Sequence, residues 1–112
     1  MKKQFRVKKS KEIDAIINHR QSVGSKFFVI YYKESNKNHF RFAISIGKKY
    51  GKATQRNLIK RQIRMIFQTK KAMPSYDFVV VVRNNAKSLK FKEIKDNLEN
   101  LINKTQETEN KR

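Results

Sequence analysis

The side chains of this sequence that could contact a ligand are concentrated in residues 48 to 64, and most of them are positively charged. The polar residues of the segment that could contact a ligand are Lys48, Lys49, Lys52, Arg56, Asn57, Lys60, Arg61 and Arg64. Between Ser35 and Tyr76 eleven residues are basic and none is acidic. On an ordinary solvated helix, Glu and Lys mix and form i,i+4 pairs. An unneutralised row of cations therefore indicates a surface that binds a polyanion.

A helix over residues 53–70 would place these cations on one face. At 100° per residue the basic residues and Asn57 span an arc of about 140°. The apolar residues are expected on the opposite side, docked on a sheet: Leu58, Ile59, Ile63, Met65, Ile66 and Phe67. Arginine forks suit bidentate phosphate contacts. Asn57 could contact a base edge or a 2′-hydroxyl, or it could cap the helix or buttress a neighbouring arginine, and the sequence leaves these roles open.

The overall composition points to the same class of ligand. The 112 residues include 28 Lys and Arg against 9 Asp and Glu, a formal net charge of +19. Self-repulsion at that density opposes compaction and favours binding of a polyanion. Nucleic acid is the first candidate because phosphate contacts release counterions, and an anionic membrane is the second. No apolar run approaches the roughly 20 residues that span a bilayer, so we expect a cytoplasmic protein without a membrane partner.

Catalytic and metal-binding signals are missing from the sequence. The absence of Cys excludes disulfides, thiol catalysis and cysteine zinc sites. His19 and His39 are isolated, without metal-ligand spacing. A protein-only metal nuclease would need several converging carboxylates, and Asp77 is the only one expected within the sheet. We therefore expect no catalytic residue and no protein-held metal.

The remaining patterns predict elements that could position the basic helix. They are a helix over 11–19 capped by Ser10, strands over 27–32 and 40–46, a loop over 47–52, a strand over 78–82 and a last helix capped by Ser88. The polar link between the first two strands favours an antiparallel hairpin, and one more short strand could lie near 21–24. We expect Phe27, Phe28, Phe40 and Phe42 in the core.

The order of elements predicts an α+β fold with one mixed sheet and helices packed on it. We expect three segments: a basic N-terminal extension over 1–9, an RNA-binding domain over 10–103 and a disordered polar tail over 104–112.

The helix motif resembles that of a known family. AxxRNxxKRxxR, formed by Ala53, Arg56, Asn57, Lys60, Arg61 and Arg64, is similar to the signature of the bacterial ribonuclease P protein family. The preceding SIGKKYGK and the later VVVVR strand resemble that family as well. The similarity extends from about Phe5 to Ile102.

The resemblance implies a fold and a function. The fold is a single domain with a mixed four-stranded sheet, three helices and a left-handed βαβ crossover, like domain 2 of ribosomal protein S5. The function is that of the protein subunit of a ribonucleoprotein that removes the 5′ leader of precursor tRNA. Its partners are then the ribonuclease P RNA, which catalyses the reaction with Mg²⁺ held mainly by RNA, and precursor tRNA; the polypeptide alone is inactive.

The resemblance also implies two binding surfaces. The basic helix and the lysines before it would bind the RNA subunit. A cleft between the first helix and the sheet would bind the single-stranded leader through Arg6, Lys8, Lys9, Ile13, Ile17 and Tyr31. Ile13 and Ile17 stand where family members often carry Phe, so apolar contact would replace base stacking, and both could equally belong to the core.

Two other functions fit the composition. A non-enzymatic RNA-binding protein, such as a ribosomal protein or RNA chaperone, would show the same charge. A DNA-binding regulator could use residues 53–70 as a recognition helix, but the strand-rich context and the absence of a helix-turn-helix pair argue against DNA.

Overall fold

The computed structural model describes residues 6, 7, 9–35, 39–69 and 75–110, with the backbone alone described for 106–110. The described residues form helices α1 (Ser10–Asn18), α2 (Ala53–Gln68) and α3 (Phe91–Asn110), and strands β1 (Ser22–Gly24), β2 (Phe28–Glu34), β3 (Arg41–Ile46) and β4 (Tyr76–Val82). Two 3₁₀ turns, Lys48–Tyr50 and Asn84–Ser88, precede α2 and α3. None of the described helices is long and apolar enough to cross a membrane.

The strands form one mixed sheet in the order β1-β2-β4-β3. β4 pairs antiparallel with β2 and parallel with β3. The predicted hairpin between the second and third strands is therefore wrong, because β4 lies between them. β4 is apolar on both faces, and a strand of that kind gains most from a central position with a partner on each edge. The short strand expected near 21–24 is confirmed as β1.

The β3–α2–β4 connection is left-handed. In an L-peptide strand that runs upward, a residue whose side chain faces the viewer points its N–H and C=O to the right. The side chain of Phe42 packs in the cluster that contains α2, and its carbonyl accepts a hydrogen bond from Val7 N–H, away from β4. Viewed from α2, β4 therefore lies to the left of β3. The crossover has the rare sense, as the family resemblance implied.

The main core lies between the sheet and the pair α2 and α3. Phe28, Phe42, Phe67 and Phe78 are buried within it, and Phe27 and Phe40 pack against it partly buried. The rings of Phe42 on β3 and Phe67 on α2 stack with centroids 4.4 Å apart. This aromatic contact fixes α2 over β3 and β4, so the face of α2 opposite the sheet is left to solvent.

A smaller cluster covers the other face of the sheet. Val7, Ile16 and Val79 are buried there, and Ile13, Ile17, Tyr31, Ala43 and Val81 pack around them partly buried. Val7 reaches this cluster because the N-terminal segment runs beside β3, with a parallel bridge between Arg6 and Phe42. Residues 6 and 7 of the predicted extension thus belong to the folded domain.

Two expectations about helix starts, the Ser10 cap and the Ser88 cap, are wrong. Lys9, without a side-chain cap, precedes α1, and Ser10 is its first residue. α3 begins after Lys90, whose N–H donates to Glu93 Oε1 at 3.0 Å, while the Ser88 hydroxyl donates to Asn85 O in the preceding 3₁₀ turn.

The tail predicted to be disordered from 104 is helical to Asn110. Thr105 is fully buried and its hydroxyl donates to Ile102 O, so the last apolar turn of α3 still contacts the core. Residues 111 and 112 lie outside the described part of the chain.

Candidate nucleic-acid interface

The entry to α2 is a tight turn closed by a side chain. The N–H of Lys52 donates to Gln55 Oε1 at 3.0 Å, which satisfies one backbone group before the first turn. Gly51 precedes it with φ 158°, and a Cβ at this position would collide with the Gln55 carboxamide. Lys48 and Lys49 lie in the 3₁₀ turn just before, and both are exposed. The turn therefore brings the lysines of the loop next to the positive end of the α2 dipole.

The cations of α2 lie along its outer face as the sequence predicted. Lys52, Asn57 and Arg61 are exposed, and Arg56, Lys60 and Arg64 are partly buried. In the described part of the chain no ion pair of these residues is found, whereas Arg41 of β3 pairs with both Asp77 and Glu12. The positive charge is thus available to a ligand.

The buried arc of α2 is narrower than the sequence suggested. Ile59, Ile63, Ile66 and Phe67 are buried, but Leu58 and Met65 are 47% and 50% exposed. The prediction that these two side chains dock on the sheet is wrong. On the helical wheel both lie within about 60° of Arg61, too far round for a flat sheet to cover.

Two polar groups of α2 lack protein partners. Within the described residues, the Asn57 side chain makes no hydrogen bond, so it neither caps the helix nor buttresses an arginine here. Arg56 Nε is buried without a hydrogen-bond partner in the same part of the chain. A buried donor without an acceptor is costly, and because Nε is closed to solvent, an external acceptor could reach it only if the Arg56 side chain moved.

A groove of about 160 Å³ links α2 to the other face of the sheet. It passes around the outer edge of β3 and is lined by Arg6, Val7, Ile13, Phe42, Ala43, Ile44, Lys60 and Arg64. Three of these side chains are cationic: Arg6, which was predicted for the leader cleft, and Lys60 and Arg64, which were predicted for the RNA-subunit surface. The fold therefore joins the two proposed surfaces into one.

The residues predicted for the leader cleft are divided among three places. Arg6 and Ile13 line the groove beside β3. Ile17 and Tyr31 pack partly buried around Ile16 and Val79, so each combines a core contact with some exposed surface. Lys9 is exposed at the start of α1, and Lys8 lies outside the described residues.

A cluster of charges between α1 and the sheet was not predicted from the sequence. Arg41 donates to both carboxylate oxygens of Asp77, from Nε at 2.9 Å and from Nη2 at 2.8 Å. The same Nη2 lies 3.0 Å from Glu12 Oε2. The hydrogen bonds to Asp77 raise the pKa of Arg41 above its ordinary value. Once β3 is paired with β4, the register places Arg41 beside Asp77, but the predicted hairpin concealed that signal.

The described carboxylates do not fit a magnesium site. No group of three or more His, Asp or Glu side chains in the described part of the chain could hold a metal ion. Asp77 and Glu12 are both engaged with Arg41. The site therefore offers cations, amides and apolar surface, which suits binding of a phosphodiester backbone and unpaired bases.

Comparisons with known proteins agree with this chemistry. The family model described as Ribonuclease P matches residues 1–106. The chain is 43% identical over 98 residues to a ribonuclease P protein component of Phytoplasma australiense, covering 85% of both chains. It is 43% identical over 106 residues to one of Enterococcus faecalis, covering 92% of this chain and 90% of the relative. The solved RNase P protein of Staphylococcus aureus superposes with a TM-score of 0.86 at 34% identity, over 90% of this chain and 94% of that one. The chain belongs to the Ribonuclease P protein family.

Proposed function

We propose that the chain acts as the protein subunit of the ribonuclease P ribonucleoprotein, that the outer face of α2 binds the catalytic RNA, and that the groove and the α1 side of the sheet bind the 5′ leader of precursor tRNA. The observation that carries this proposal is the row of cations on α2, which has no carboxylate partner in the described part of the chain. The holoenzyme is an endoribonuclease of tRNA 5′ maturation.

The RNA anchor has three kinds of contact. Arg56, Arg61 and Arg64 supply planar forks for phosphate oxygens. Lys48, Lys49 and Lys52 add charge at the start of the helix, where free N–H groups also attract anions. Asn57 is left to hydrogen-bond a base edge or a 2′-hydroxyl.

The leader would follow the groove around β3. Arg6, Lys60 and Arg64 can neutralise its phosphates, while Ile13, Ile17 and Tyr31 offer apolar or aromatic surface to its bases. Mature tRNA lacks the leader and would lose these contacts. The protein would therefore increase the affinity of the holoenzyme for precursor over product.

Bond cleavage is assigned to the RNA subunit. Phosphodiester hydrolysis needs stabilisation of attacking and leaving oxygens, which bound Mg²⁺ can supply. We propose that RNA holds those ions, and that the cations of α2 offset repulsion between RNA strands. The chain alone should not cleave precursor tRNA, and its addition to the RNA subunit should restore cleavage at low magnesium.

The anchor is tested by salt dependence. Replacing Arg56, Lys60 and Arg61 with Ala should weaken binding to the RNA subunit and lower the slope of log K against log salt by about 2 to 3, since each phosphate contact contributes about 0.7 to 0.9. Titration of labelled RNA subunit with protein at several salt concentrations gives this slope.

A charge-matched variant controls for the lost net charge. Lys26, Lys92 and Lys95 are exposed and lie in the β1–β2 turn and on α3, outside the cation row of α2. Their replacement with Ala should leave the slope nearly unchanged. Equal slopes for both triple variants would place the anchor elsewhere.

The alternatives are separated by what the protein retains. A ribosomal protein or RNA chaperone would co-sediment with ribosomal subunits and would not stimulate cleavage by the RNA subunit. A DNA-binding regulator would release RNA in competition with duplex DNA. Membership of the Ribonuclease P family favours the ribonucleoprotein subunit over both.

A further inference from the structure

The first helix is attached to the sheet by few contacts. α1 has nine residues, and Ile16 is its buried side chain. An isolated helix of this length is marginal in water, so its position depends on tertiary contacts. The small cluster of Val7, Ile16 and Val79 provides the apolar ones. Any polar contact that also attaches α1 to the sheet therefore helps to set the rotation of α1 about its axis.

Arg41 supplies the polar tie between α1 and the sheet. Its guanidinium is held by both oxygens of Asp77, and the side chains of Arg41 and Asp77 are 14% and 10% exposed. Glu12 Oε2 lies 3.0 Å from the same Nη2, at ion-pair distance but without hydrogen-bond geometry. It has no hydrogen-bond partner within the described residues. The Arg41–Asp77 pair is thus held within the sheet, and Glu12 attaches α1 to it through the ion pair with Arg41.

The Glu12–Arg41 contact lies on a different flank of α1 from the two isoleucines of the leader surface. Ile13 and Ile17 are about 100° and 140° around the helix axis from Glu12. On the Glu12 flank, a cavity of about 540 Å³ is bordered by Glu12, Ala15, Arg41 and Asp77 among others. Without the ion pair, α1 would have space to roll toward that cavity. Such a roll would shift Ile13 and Ile17 relative to the sheet and to the groove beside β3.

We infer that Arg41 is a positioning residue for the leader cleft, because it holds Glu12 and so fixes the rotation of α1 that presents Ile13 and Ile17 to the leader. This inference rests on the proposed function, since it concerns the leader surface. It assigns no contact between Arg41 and RNA. Arg41 is instead expected to change the preference for precursor over mature tRNA while leaving the α2 anchor untouched.

Glu12→Gln is the informative variant. It removes the negative charge through which α1 pairs with Arg41, and it leaves the Arg41–Asp77 pair in the sheet intact. In the reconstituted holoenzyme we expect the ratio of precursor to mature tRNA affinity to fall about two- to fivefold, the range for one partly exposed ion pair. Affinity for the RNA subunit and its salt slope should stay within error of those of the Asp14→Asn control. Hydrogen exchange of α1 amides should become faster.

Asp14→Asn is the matched control. Asp14 lies on the exposed face of the same helix, and this change removes the same charge without touching Arg41. Any general gain in RNA affinity from losing an acidic residue appears in both variants, whereas loss of the affinity ratio should appear only in Glu12→Gln. Arg41→Lys provides a second test, because one ammonium cannot hold Asp77 through two bonds and Glu12 at once.

The outcomes separate this inference from the proposed function. A Glu12→Gln holoenzyme with the wild-type ratio would overturn the positioning role. A wild-type holoenzyme that does not prefer precursor over mature tRNA would overturn the leader-binding proposal itself. A fall in ratio for Asp14→Asn equal to that for Glu12→Gln would show that charge, and not the position of α1, sets the preference.

Discussion

At the scale of single residues, the fold separates two kinds of polar side chain. Arg41 and Asp77 satisfy each other inside the domain. The cations of α2 have no such partners among the described residues and keep their capacity for an external anion. Arginine therefore has a structural partner in β3, whereas in α2 it is assigned to RNA binding only by the proposal above. Position in the sheet register, not residue type, distinguishes these roles.

Tyr50 gives a pH-dependent test at this scale. It is 4% exposed just before α2, and burial raises its pKa above the ordinary value of 10.0. The unfolded chain therefore loses the phenolic proton at lower pH than the folded chain. Stability from the buried neutral ring is complete below pH 10 and declines as pH rises above it. Urea unfolding between pH 8 and 11 should show a steeper decline for wild type than for Tyr50→Phe.

The difference in the pH dependence of the unfolding free energy between wild type and Tyr50→Phe is due to Tyr50, because the lysines titrate over the same range in both proteins. Parallel stability curves for wild type and Tyr50→Phe would mean that the phenol ionises equally easily in the folded and unfolded chains.

At the scale of elements, the start of α2 depends on one glycine and one glutamine. Gly51→Ala should displace the Gln55 carboxamide from Lys52 N–H and destabilise the domain by about 1–2 kcal/mol, the usual value of a helix N-terminal contact. In a Gln55→Ala background the same change should cost less, with a remainder from the φ of 158°. Thermal or urea unfolding of the four proteins gives the coupling energy.

Gly47→Ala controls for the loss of a glycine in the same loop. A Cβ at Gly47 would meet nothing within 4 Å, and its φ of −81° suits any residue. We expect it to be neutral or slightly stabilising. Equal losses at Gly47 and Gly51 would refute the role of the Gln55 contact.

Sequence patterns predicted individual helices and strands better than they predicted how the strands pair. The alternation of Phe40, Phe42, Ile44 and Ile46 and the cation row of α2 are local, so they predicted the strand and the outward placement of the α2 cations correctly. The role of that face in RNA binding stays a prediction. The pairing of β4 with both β2 and β3 joins segments more than 30 residues apart, and no local pattern specifies it. For the same reason the Arg41 cluster and the groove beside β3 could be found only in the folded chain.

At the scale of the whole molecule, charge is distributed unequally. α3 carries five of the nine carboxylates but only three of the 28 Lys and Arg residues. It lies over β1 and β2, on the half of the sheet away from the groove beside β3. The remaining surface is strongly positive. RNA approaching the molecule is thus favoured from the side of α2 and the N-terminal segment and disfavoured from the side of α3.

This imbalance predicts that polyanions stabilise the fold. A ligand that binds the folded chain at 100 times its Kd adds about 2.7 kcal/mol, which corresponds to a rise in Tm of roughly 10 °C or more for a small domain. Dextran sulfate at low ionic strength should raise the Tm measured by circular dichroism, and neutral dextran should not. The rise should shrink in high salt. Equal effects of the two dextrans would indicate crowding rather than charge.

The central place of β4 also determines when the sheet can be completed during synthesis. β2 and β3 leave the ribosome well before β4, the strand that pairs with both. The cationic helix α2 emerges after β3 and before β4. Until Val82 has been translated, aromatic strand surfaces and a positive helix are displayed together on an unfinished chain, beside the RNA of the ribosome itself. A long wait of this kind favours early capture by nucleic acid or by chaperones over folding from the N-terminus.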